Sequence, residues 1–374
     1  MFKRIWSLVI KEFLHLRNDW WLPAFMLIGG ASELLLVAWA TSRPITNLPL
    51  MVLDQSDTAA SRAIVIGLGN TKTFAAPKRV NNMQAIEDAM ARGQVSAALV
   101  IPPDYAEQLQ SPIGKPALLM IVNGAENAPA QAVSRVVQGL ARDIDENILV
   151  ERLNLDERQL SGFSPSLRVW FNENLSEALY TTPAELGLML EFTVLLFAAL
   201  SFSRERELGT IEQLLVMPFS SLEVIIGKSI PVVIVGFTDF ALMLAMTHFA
   251  FDVPIRGSLA LLLVLAFGYL LVELGKGLVL SVISKTQHQA FLLVLLVGMV
   301  DFMFTGYAAP VESMPKVLQW FANIIPAHHW LTILRGIALK GAGMDVLWPN
   351  VLALAILGIV IGAFSLRFVR RALD

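Results

Sequence analysis

The chain has 374 residues, of which 55% are hydrophobic and only 16% are charged, whereas an average soluble domain is about 45–50% apolar and about 25% charged. The apolar residues cluster in runs of about 18 or more, which predict transmembrane helices and exclude an ordinary soluble protein. The net charge of −3 and the lack of cysteine exclude a basic field for nucleic acid, disulfide bonds and thiolate sites.

The first 19 residues predict an amphipathic helix that lies on the membrane surface. Apolar residues recur there at helical spacing, with Lys3, Arg4, Lys11 and Arg17 among them, as in helices that bind in the interface. The alternative is that this segment simply begins the first span. Its basic residues place the N-terminus in the cytoplasm.

Residues 20–41 predict transmembrane helix 1, with tryptophans at both of its ends as interfacial aromatics. The Ala-Trp-Ala sequence at 38–40 resembles a signal-peptidase site, so a cleaved signal peptide is the alternative. The long amphipathic leader and Glu33 inside the apolar run favour an uncleaved anchor.

Residues 42–182 predict a separate α/β domain. Three segments, which begin near residues 48, 96 and 117, each combine a short apolar strand, a polar turn and a helical pattern, and such units in series favour a small α/β fold. Asp54, Asp57 and Asn123 in the turns predict turn and N-cap hydrogen bonds. Because this domain follows one span, we expect it outside the cytoplasm.

Residues 183–374 predict five further transmembrane helices. The fold class is therefore a six-helix, all-α membrane protein with an inserted α/β domain. The later spans are predicted at about 184–203, 229–251, 259–283, 290–308 and 349–366. Residues of about 311–346 predict a short re-entrant or interfacial pair of helices. Six spans place both termini on one side, and the basic residues of the loops cluster on the same side as the leader, in agreement with the positive-inside rule.

The charged segment RERELGTIEQLLVMPFSSLEVIIGK, from Arg204 to Lys228, lies between spans 2 and 3 and is predicted to be cytoplasmic. Its Gly-Lys-Ser matches the end of a phosphate loop, but such a loop needs a glycine where Leu222 stands and a strand before it. The segment therefore predicts no nucleotide site, and any ATP must be bound by another chain.

Local signals divide this segment into two helices. Gly209 breaks the helix that continues from span 2, Thr210 can N-cap a short helix, and Pro218 ends it. Ser220 and Glu223 form a capping box for the helix that becomes span 3. The residues alone leave open whether the short helix docks a partner or is an ordinary interfacial loop helix.

This segment resembles the R-E-x-E-x-G-T-x-E-x-L-L-x-x-P signature of type-2 ABC exporter permeases, the ABC-2 family. The stretch VESMPKVLQWFANIIPAHHW before the last span resembles their S-M-P…P-x-x-H stretch. The order of spans is similar to that of the bacterial inner-membrane drug-efflux branch, which has a large periplasmic domain. In that family the short cytoplasmic helix docks into a groove of a separate ATPase.

The resemblance implies half of an exporter for a drug-like or amphipathic cargo, with cytoplasmic termini in a bacterial inner membrane. Its implied partners are an ABC ATPase that binds the ATP and Mg²⁺, a second copy or a sister permease, membrane lipid and a periplasmic membrane-fusion adaptor. The chain itself binds no cofactor, and its leader is the family's elbow helix. The residues that would couple to the ATPase are Arg204, Glu205, Arg206, Glu207, Gly209, Thr210, Glu212, Leu214, Leu215 and Pro218.

Ionisable residues inside the predicted spans are costly and mark cavities or pairs. Glu33, Glu191 and Asp301 predict either a substrate path, which would favour a cationic amphipathic cargo, or a dimer interface. Glu273 and Lys276 are spaced i, i+3 and predict a structural pair on one helix face.

Two other classes of protein compete with this interpretation. An ion-coupled secondary transporter would use the intramembrane carboxylates, but the sequence has no inverted repeat. A membrane-embedded hydrolase would use His328 and His329, but no nucleophile and base accompany them. Adjacent histidines on a helix point about 100° apart, so they predict hydrogen bonds and not a metal site.

Overall fold

The computed structural model of the chain describes residues 2–42, 45–111, 114, 116–125, 129–141, 171, 176–217 and 219–373. It divides into two compact units. One comprises Met1–Ser42 and Val169–Asp374, and the other comprises Arg43–Arg168. Each unit has a hydrophobic core of its own.

The helices and strands follow one another along the chain as a helical unit interrupted by an α/β unit. In chain order they are α1 (Phe2–Asn18), α2 (Trp21–Ser42), β1 (Leu50–Asp54), α3 (Ala59–Asn70), β2 (Lys78–Arg79), α4 (Met83–Ala91), β3 (Ala97–Ile101), α5 (Tyr105–Gln110), β4 (Leu119–Val122), α6 (129–141 of the described residues), α7 (Glu177–Glu207), α8 (Ile211–Val216), α9 (Ser221–Phe251), α10 (Leu259–Ile283), α11 (Gln287–Phe304), a 3₁₀ turn (Val311–Ser313), α12 (Lys316–Asn323), α13 (Pro326–Lys340) and α14 (Met344–Leu373).

Within the described part of the first unit, six helices are long and apolar enough to cross a membrane, namely α2, α7, α9, α10, α11 and α14. They confirm the six spans that the sequence predicts. Three of them, α7, α9 and α14, extend beyond the predicted apolar stretch, because a helix continues through polar residues that hydropathy does not mark. Thus α7 begins at Glu177, inside the range predicted for the α/β domain. By contrast, α11 runs from Gln287 to Phe304 instead of from about 290 to 308.

The core of the helical unit surrounds α7, which packs against α2, α9, α10, α11 and α13. Two glycines let backbones approach it closely, as in many membrane helix pairs. A Cβ atom at Gly277 of α10 would lie 2.5 Å from the Ala198 side chain, and one at Gly236 of α9 would lie 2.5 Å from Val194. The position of α7 therefore depends on both contacts.

The described residues of the second unit form a four-stranded sheet in the order β2-β1-β3-β4. Strand β1 runs parallel to β2 and β3, with Leu50 opposite Ala97, and β3 runs antiparallel to β4. Its helices cover a core that includes the buried Val52 and Leu99. The three predicted strand–turn–helix units correspond to β1–α3, β3–α5 and β4–α6.

Turn chemistry accounts for the polar residues of this unit. The Oδ1 atom of Asp54 accepts the backbone N–H groups of Ser56 and Asp57 at 3.2 and 3.0 Å. Asn123 Oδ1 accepts the N–H of Ala125 at 3.1 Å. Thr58 opens α3 with a capping box. The turn hydrogen bonds predicted for Asp54 and Asn123 are thereby confirmed, and Asp57 takes part in the first turn through its backbone N–H.

Between the last two spans, the predicted pair of helices is α12 and α13. Trp320 of α12 is 77% exposed, whereas Trp330 of α13 is buried in the core of the bundle. One helix of the pair thus presents aromatic surface and the other packs inside. Its placement at the membrane interface stays a prediction.

Glycine packing in α10 gives a direct test of the bundle. We expect Gly277→Ala to lower the free energy of unfolding by about 1–3 kcal/mol, the usual cost of overpacking, because the new methyl group meets Ala198 and the Leu195 carbonyl. Gly268→Ala on the same helix, where a Cβ has no neighbour within 4 Å, is the matched control. Thermal unfolding in detergent measures both, and equal melting temperatures would contradict the packing.

Candidate functional site

The corner between α7 and α8 is built around a left-handed glycine. Gly209 has φ 70°, a conformation that glycine adopts without strain, and its N–H donates to the Arg206 carbonyl at 3.1 Å. The Thr210 N–H donates to the Glu205 carbonyl at 2.9 Å. These bonds end α7 and turn the chain directly into α8, so Gly209 breaks the helix where the sequence predicts.

Thr210 does not cap α8 with its side chain, contrary to the sequence prediction. Its backbone has φ −89° and ψ −5°, not the extended conformation that is usual at an N-cap, and its hydroxyl donates to the Glu205 carboxylate. The predicted capping box at α9 is present, since Ser220 N–H donates to Glu223 at 2.9 Å and Glu223 N–H donates to Ser220. Pro218 lies outside the described residues, as do the side chains of Leu214 and Leu215.

Glu205 is 4% exposed and is the centre of a group of four charges that we call the Glu205 cluster. Its Oε1 atom lies 2.7 Å from Lys11 Nζ and 3.1 Å from Lys228 Nζ. Lys228 Nζ also lies 2.8 Å from Glu12 Oε1. Two ammonium groups and two carboxylates, from α1, α7 and α9, therefore compensate one another where the three helices meet.

This cluster explains the lysine of the Gly-Lys-Ser sequence. Lys228 is a buried residue of α9 and is not part of a phosphate loop. At Gly227 a Cβ atom would lie 2.6 Å from the Leu8 side chain, so α1 packs closely on this part of α9. The glycine and the lysine both serve the attachment of α1.

The neighbouring charges also bind within the chain. Arg204 pairs with Asp19, in the link between α1 and α2. Arg206 donates to carbonyl groups at the end of α10, among them that of Ser284 at 2.9 Å. Glu207 Oε2 accepts the N–H of Gln287 at the start of α11 at 2.7 Å.

The four charged residues Arg204–Glu207 therefore all bind within the chain, and Glu205 is buried. Apolar side chains are exposed at this corner instead: Leu208 is 59%, Met217 47% and Val216 84% exposed. Sequence reasoning missed these three residues and the partners Lys11, Glu12 and Asp19. For the three exposed apolar residues, their position beside a charged motif was a signal that the sequence offered. For Lys11, Glu12 and Asp19, the sequence offered no such signal.

A second group of charges, which we call the Lys276 cluster, lies among the apolar helices. Lys276 Nζ is 2.8 Å from Glu273, 2.5 Å from Asp301 and 3.5 Å from Glu191. The three acids are buried, and Tyr269 donates its hydroxyl to Glu191 Oε2 at 3.0 Å. The structure thus joins the Glu273 and Lys276 pair to Glu191 and Asp301, which the sequence assigned to a separate path.

Glu33 does not belong to this cluster. It lines, together with Glu191, a cavity between α2, α7 and α11, so two of the three residues of the predicted path share one cavity. Asp301 is bound to Lys276 instead. Their contact with a substrate stays a prediction.

The two adjacent histidines make hydrogen bonds within the bundle. His329 Nδ1 lies 3.0 Å from Asn350 Oδ1, and its Nε2 lies 2.9 Å from the Asn323 carbonyl. His328 Nδ1 lies 3.4 Å from the Thr305 carbonyl, and burial together with the adjacent His329 lowers the pKa of His328. Both nitrogens of His329 are engaged, in agreement with the hydrogen-bonding interpretation and against a role in hydrolysis.

This architecture is that of a transport permease, and comparison with known proteins identifies its family. A family model described as "ABC-2 family transporter protein" matches residues 20–367. The chain belongs to this family of ABC transporter permeases and is a multi-pass membrane protein. Permeases of this family work with an ABC ATPase, often as dimers.

Full-length relatives come from bacteria. The chain is 27% identical over 371 residues to the "Probable multidrug ABC transporter permease YbhR" of Escherichia coli K12, with 99% of each chain covered. It is 25% identical over 364 residues to the "Inner membrane transport permease YhhJ" of the same organism, with 97% and 95% covered. "ABC transporter G family member 20" of Dictyostelium discoideum is 23% identical over 89% of this chain and 46% of its own length.

The Glu205 cluster predicts a large cost for removing one of its charges. We expect Lys228→Met to lower the free energy of unfolding by about 3–5 kcal/mol, since a buried carboxylate loses its buried partner. The double variant Lys228→Met with Glu205→Gln should recover part of that loss, because the uncompensated charge is gone. Thermal unfolding of the two variants and of Glu205→Gln in detergent completes the cycle, and additive losses would contradict a direct pairing.

Proposed function

We propose that this chain is one half of an ATP-driven exporter in a bacterial inner membrane, and that α8 receives the mechanical input from a separate ABC ATPase. The observation that carries this proposal is the corner at Gly209. Leu208, Val216 and Met217 expose apolar surface there, while the charges around them are bound within the chain.

The exposed and the buried residues of the corner have different roles. Apolar side chains that stand beside charged ones suit a docking contact with a complementary groove. Glu212, which is exposed in the first turn of α8, can set the register of that contact. Glu205 and Arg206 act behind the surface, because they tie the corner to α9 and to α10.

A rigid corner is what coupling requires. The charges of Arg204–Glu207 connect the end of α7 to α1, α9, α10 and α11 through side-chain contacts. A force applied to α8 would therefore reach five helices at once and would not be absorbed by a flexible loop. The ATPase would bind the ATP and Mg²⁺, and closure of two ATPases would move two permease halves relative to each other.

The orientation and the cargo follow from sequence and family. The positive-inside rule supports cytoplasmic termini, an elbow helix α1 at the cytoplasmic surface and a periplasmic α/β unit. The "multidrug" in the name of the relative supports a drug-like or amphipathic cargo. A periplasmic domain of this size suits delivery to a membrane-fusion adaptor, and a second copy or a sister permease would complete the transporter.

Two glycines with the same left-handed backbone conformation provide a matched test of coupling. Gly209 and Gly93 have φ of 70° and 66°, and a Cβ at either position has no neighbour within 4 Å. A β-branched residue is strained in this region. We expect Gly209→Val to abolish ATP-dependent export and to reduce the amount of ABC ATPase that co-purifies, and Gly93→Val to leave both unchanged.

Export, co-purification and membrane insertion are measured for both variants in the same cells. If Gly209→Val and Gly93→Val both failed to insert, the cause would be backbone strain and not loss of coupling. The milder Gly209→Ala and Gly93→Ala would then be compared in their place. Export by Gly209→Val at the wild-type rate, from normally inserted protein, would refute the assignment of α8.

Topology can be tested because the chain has no cysteine. Glu107 in α5 and Glu212 in α8 are both exposed. We expect Glu107→Cys to react with a membrane-impermeant maleimide added to spheroplasts, and Glu212→Cys to react only after the membrane is permeabilised. The reverse pattern would contradict the proposed orientation.

A further inference from the structure

A cavity of about 290 Å³ lies between α2, α7 and α11, a little below the range of roughly 300–1,000 Å³ that is usual for small-molecule sites. Much of its wall is apolar, with Met189, Phe192 and Phe302 among the lining residues. Aromatic faces attract cations, and flexible thioethers adapt to apolar groups of irregular shape. The polar part of the wall decides which ligand would fit.

That polar part is acidic. Glu33, Glu185 and Glu191 line the cavity, and none of its described lining residues is basic; Lys276 lies behind Glu191. Glu185 is buried and hydrogen-bonded to Tyr307. A ligand that brings a positive charge into this space would be attracted by the ionised carboxylates of this wall, whereas an anion would be repelled.

Glu191 connects the cavity with the Lys276 cluster. The cluster contains three buried carboxylates, with one oxygen of each within 4.8 Å of the others, and one ammonium group. Fully ionised, it would carry two uncompensated negative charges in a span, whereas the Glu205 cluster contains equal numbers of both signs. Glu273 Oε1, which is also buried, makes no hydrogen bond to any described residue.

Such a charge imbalance is costly in a medium of low dielectric constant, and carboxylates so close together do not all ionise. The cluster therefore holds at least one proton. Lys276 lies closest to Asp301 and Glu273 and farthest, at 3.5 Å, from Glu191. Glu191 is thus the acid least compensated by the lysine, and it is also the acid of the cluster that faces the cavity.

We propose that this cavity binds an amphipathic organic cation and that the cation displaces a proton held by Glu191. The O–H bond of Glu191 breaks, the proton leaves to water, and the positive charge of the ligand takes its place, so the charge of the site is unchanged. This inference deepens the proposed function by naming the class of cargo, and it rests on that function for the step from binding to export.

Other ionisable groups around α7 are engaged elsewhere or lie at the cavity itself. On α9, Asp239 accepts the Thr193 hydroxyl at 2.8 Å. On α13, Arg335 donates to the carbonyls of Gly306 and Tyr180 at 3.2 and 3.1 Å. The groups that face Glu191 or its cavity are Glu33 of α2, Glu185 of α7, Tyr269, Glu273 and Lys276 of α10, Asp301 of α11, and Tyr307.

The test uses the purified full-length chain in detergent at neutral pH, without an ATPase. The probe is tetraphenylphosphonium, and tetraphenylborate is the anion of matched shape. Calorimetry in two buffers of different ionisation enthalpy counts the protons released. We expect the cation to bind and to release a proton, and the borate not to bind in the cavity. Equal binding of both ions, as in partition into micelles or displacement of lipid, would overturn the proposal.

Glu191→Gln and Asp239→Asn form a matched pair of variants, because each removes one buried carboxyl group from a span. We expect Glu191→Gln to weaken binding of the cation by about tenfold or more, since a charge contact is lost, and to abolish proton release. Asp239→Asn should leave both as in the wild type. Unchanged binding with continued proton release in a folded Glu191→Gln variant would overturn the assignment.

A second pair of variants keeps the proposal testable where Glu191→Gln does not fold. Gly298 lines the cavity, whereas Gly268 does not. A Cβ atom at either position has no neighbour within 4 Å. Gly298→Phe should fill the cavity and block the cation, whereas Gly268→Phe should not, and equal binding to both would overturn the proposal. Since no ATPase takes part, these results stand apart from the export test on Gly209.

Discussion

The buried ion pair between Glu205 and Lys228 is the interaction on which the α7–α8 end of the helical unit depends. A carboxylate and an ammonium group that are 4% and 2% exposed are tolerated only because each has a partner. Lys11 and Glu12 complete the compensation, and both come from α1. The leader helix, the first long helix after the α/β unit and the next span are therefore held together by charge at one point.

The same helix, α7, contributes one acid to each of the two clusters, Glu205 to one and Glu191 to the other. Glu191 and Glu205 are separated by 14 residues of α7, which corresponds to about 21 Å along the axis at about 1.5 Å per residue. Their angular positions differ by only about 40° at about 100° per residue, so both lie near one face. A displacement of the corner at Gly209 would thus act on the acidic cavity through a single rigid element.

The two clusters differ in what they can do. The Glu205 cluster is balanced in charge, and its members hold one another, which suits a structural joint. The Lys276 cluster has an excess of carboxylates, and only an excess of charge gives a buried site a reason to take up a proton or a cation. The predicted i, i+3 contact of Glu273 and Lys276 is present at 2.8 Å, and the same lysine also lies beside Glu191 and Asp301. A structural role for this pair stays a prediction.

The sequence by itself determined the features that depend on neighbouring residues: six apolar helices, three strand–turn–helix units, the break at Gly209 and the capping box at Ser220. Tertiary structure alone decided which charges are buried and which face a partner. Lys11 and Glu205 are 194 positions apart, and Glu12 and Lys228 are 216 apart, so no local pattern connects them. The hydroxyl of Thr210 shows the same limit. It donates to the Glu205 carboxylate and does not cap α8, and the packing of three helices decides where that carboxylate lies.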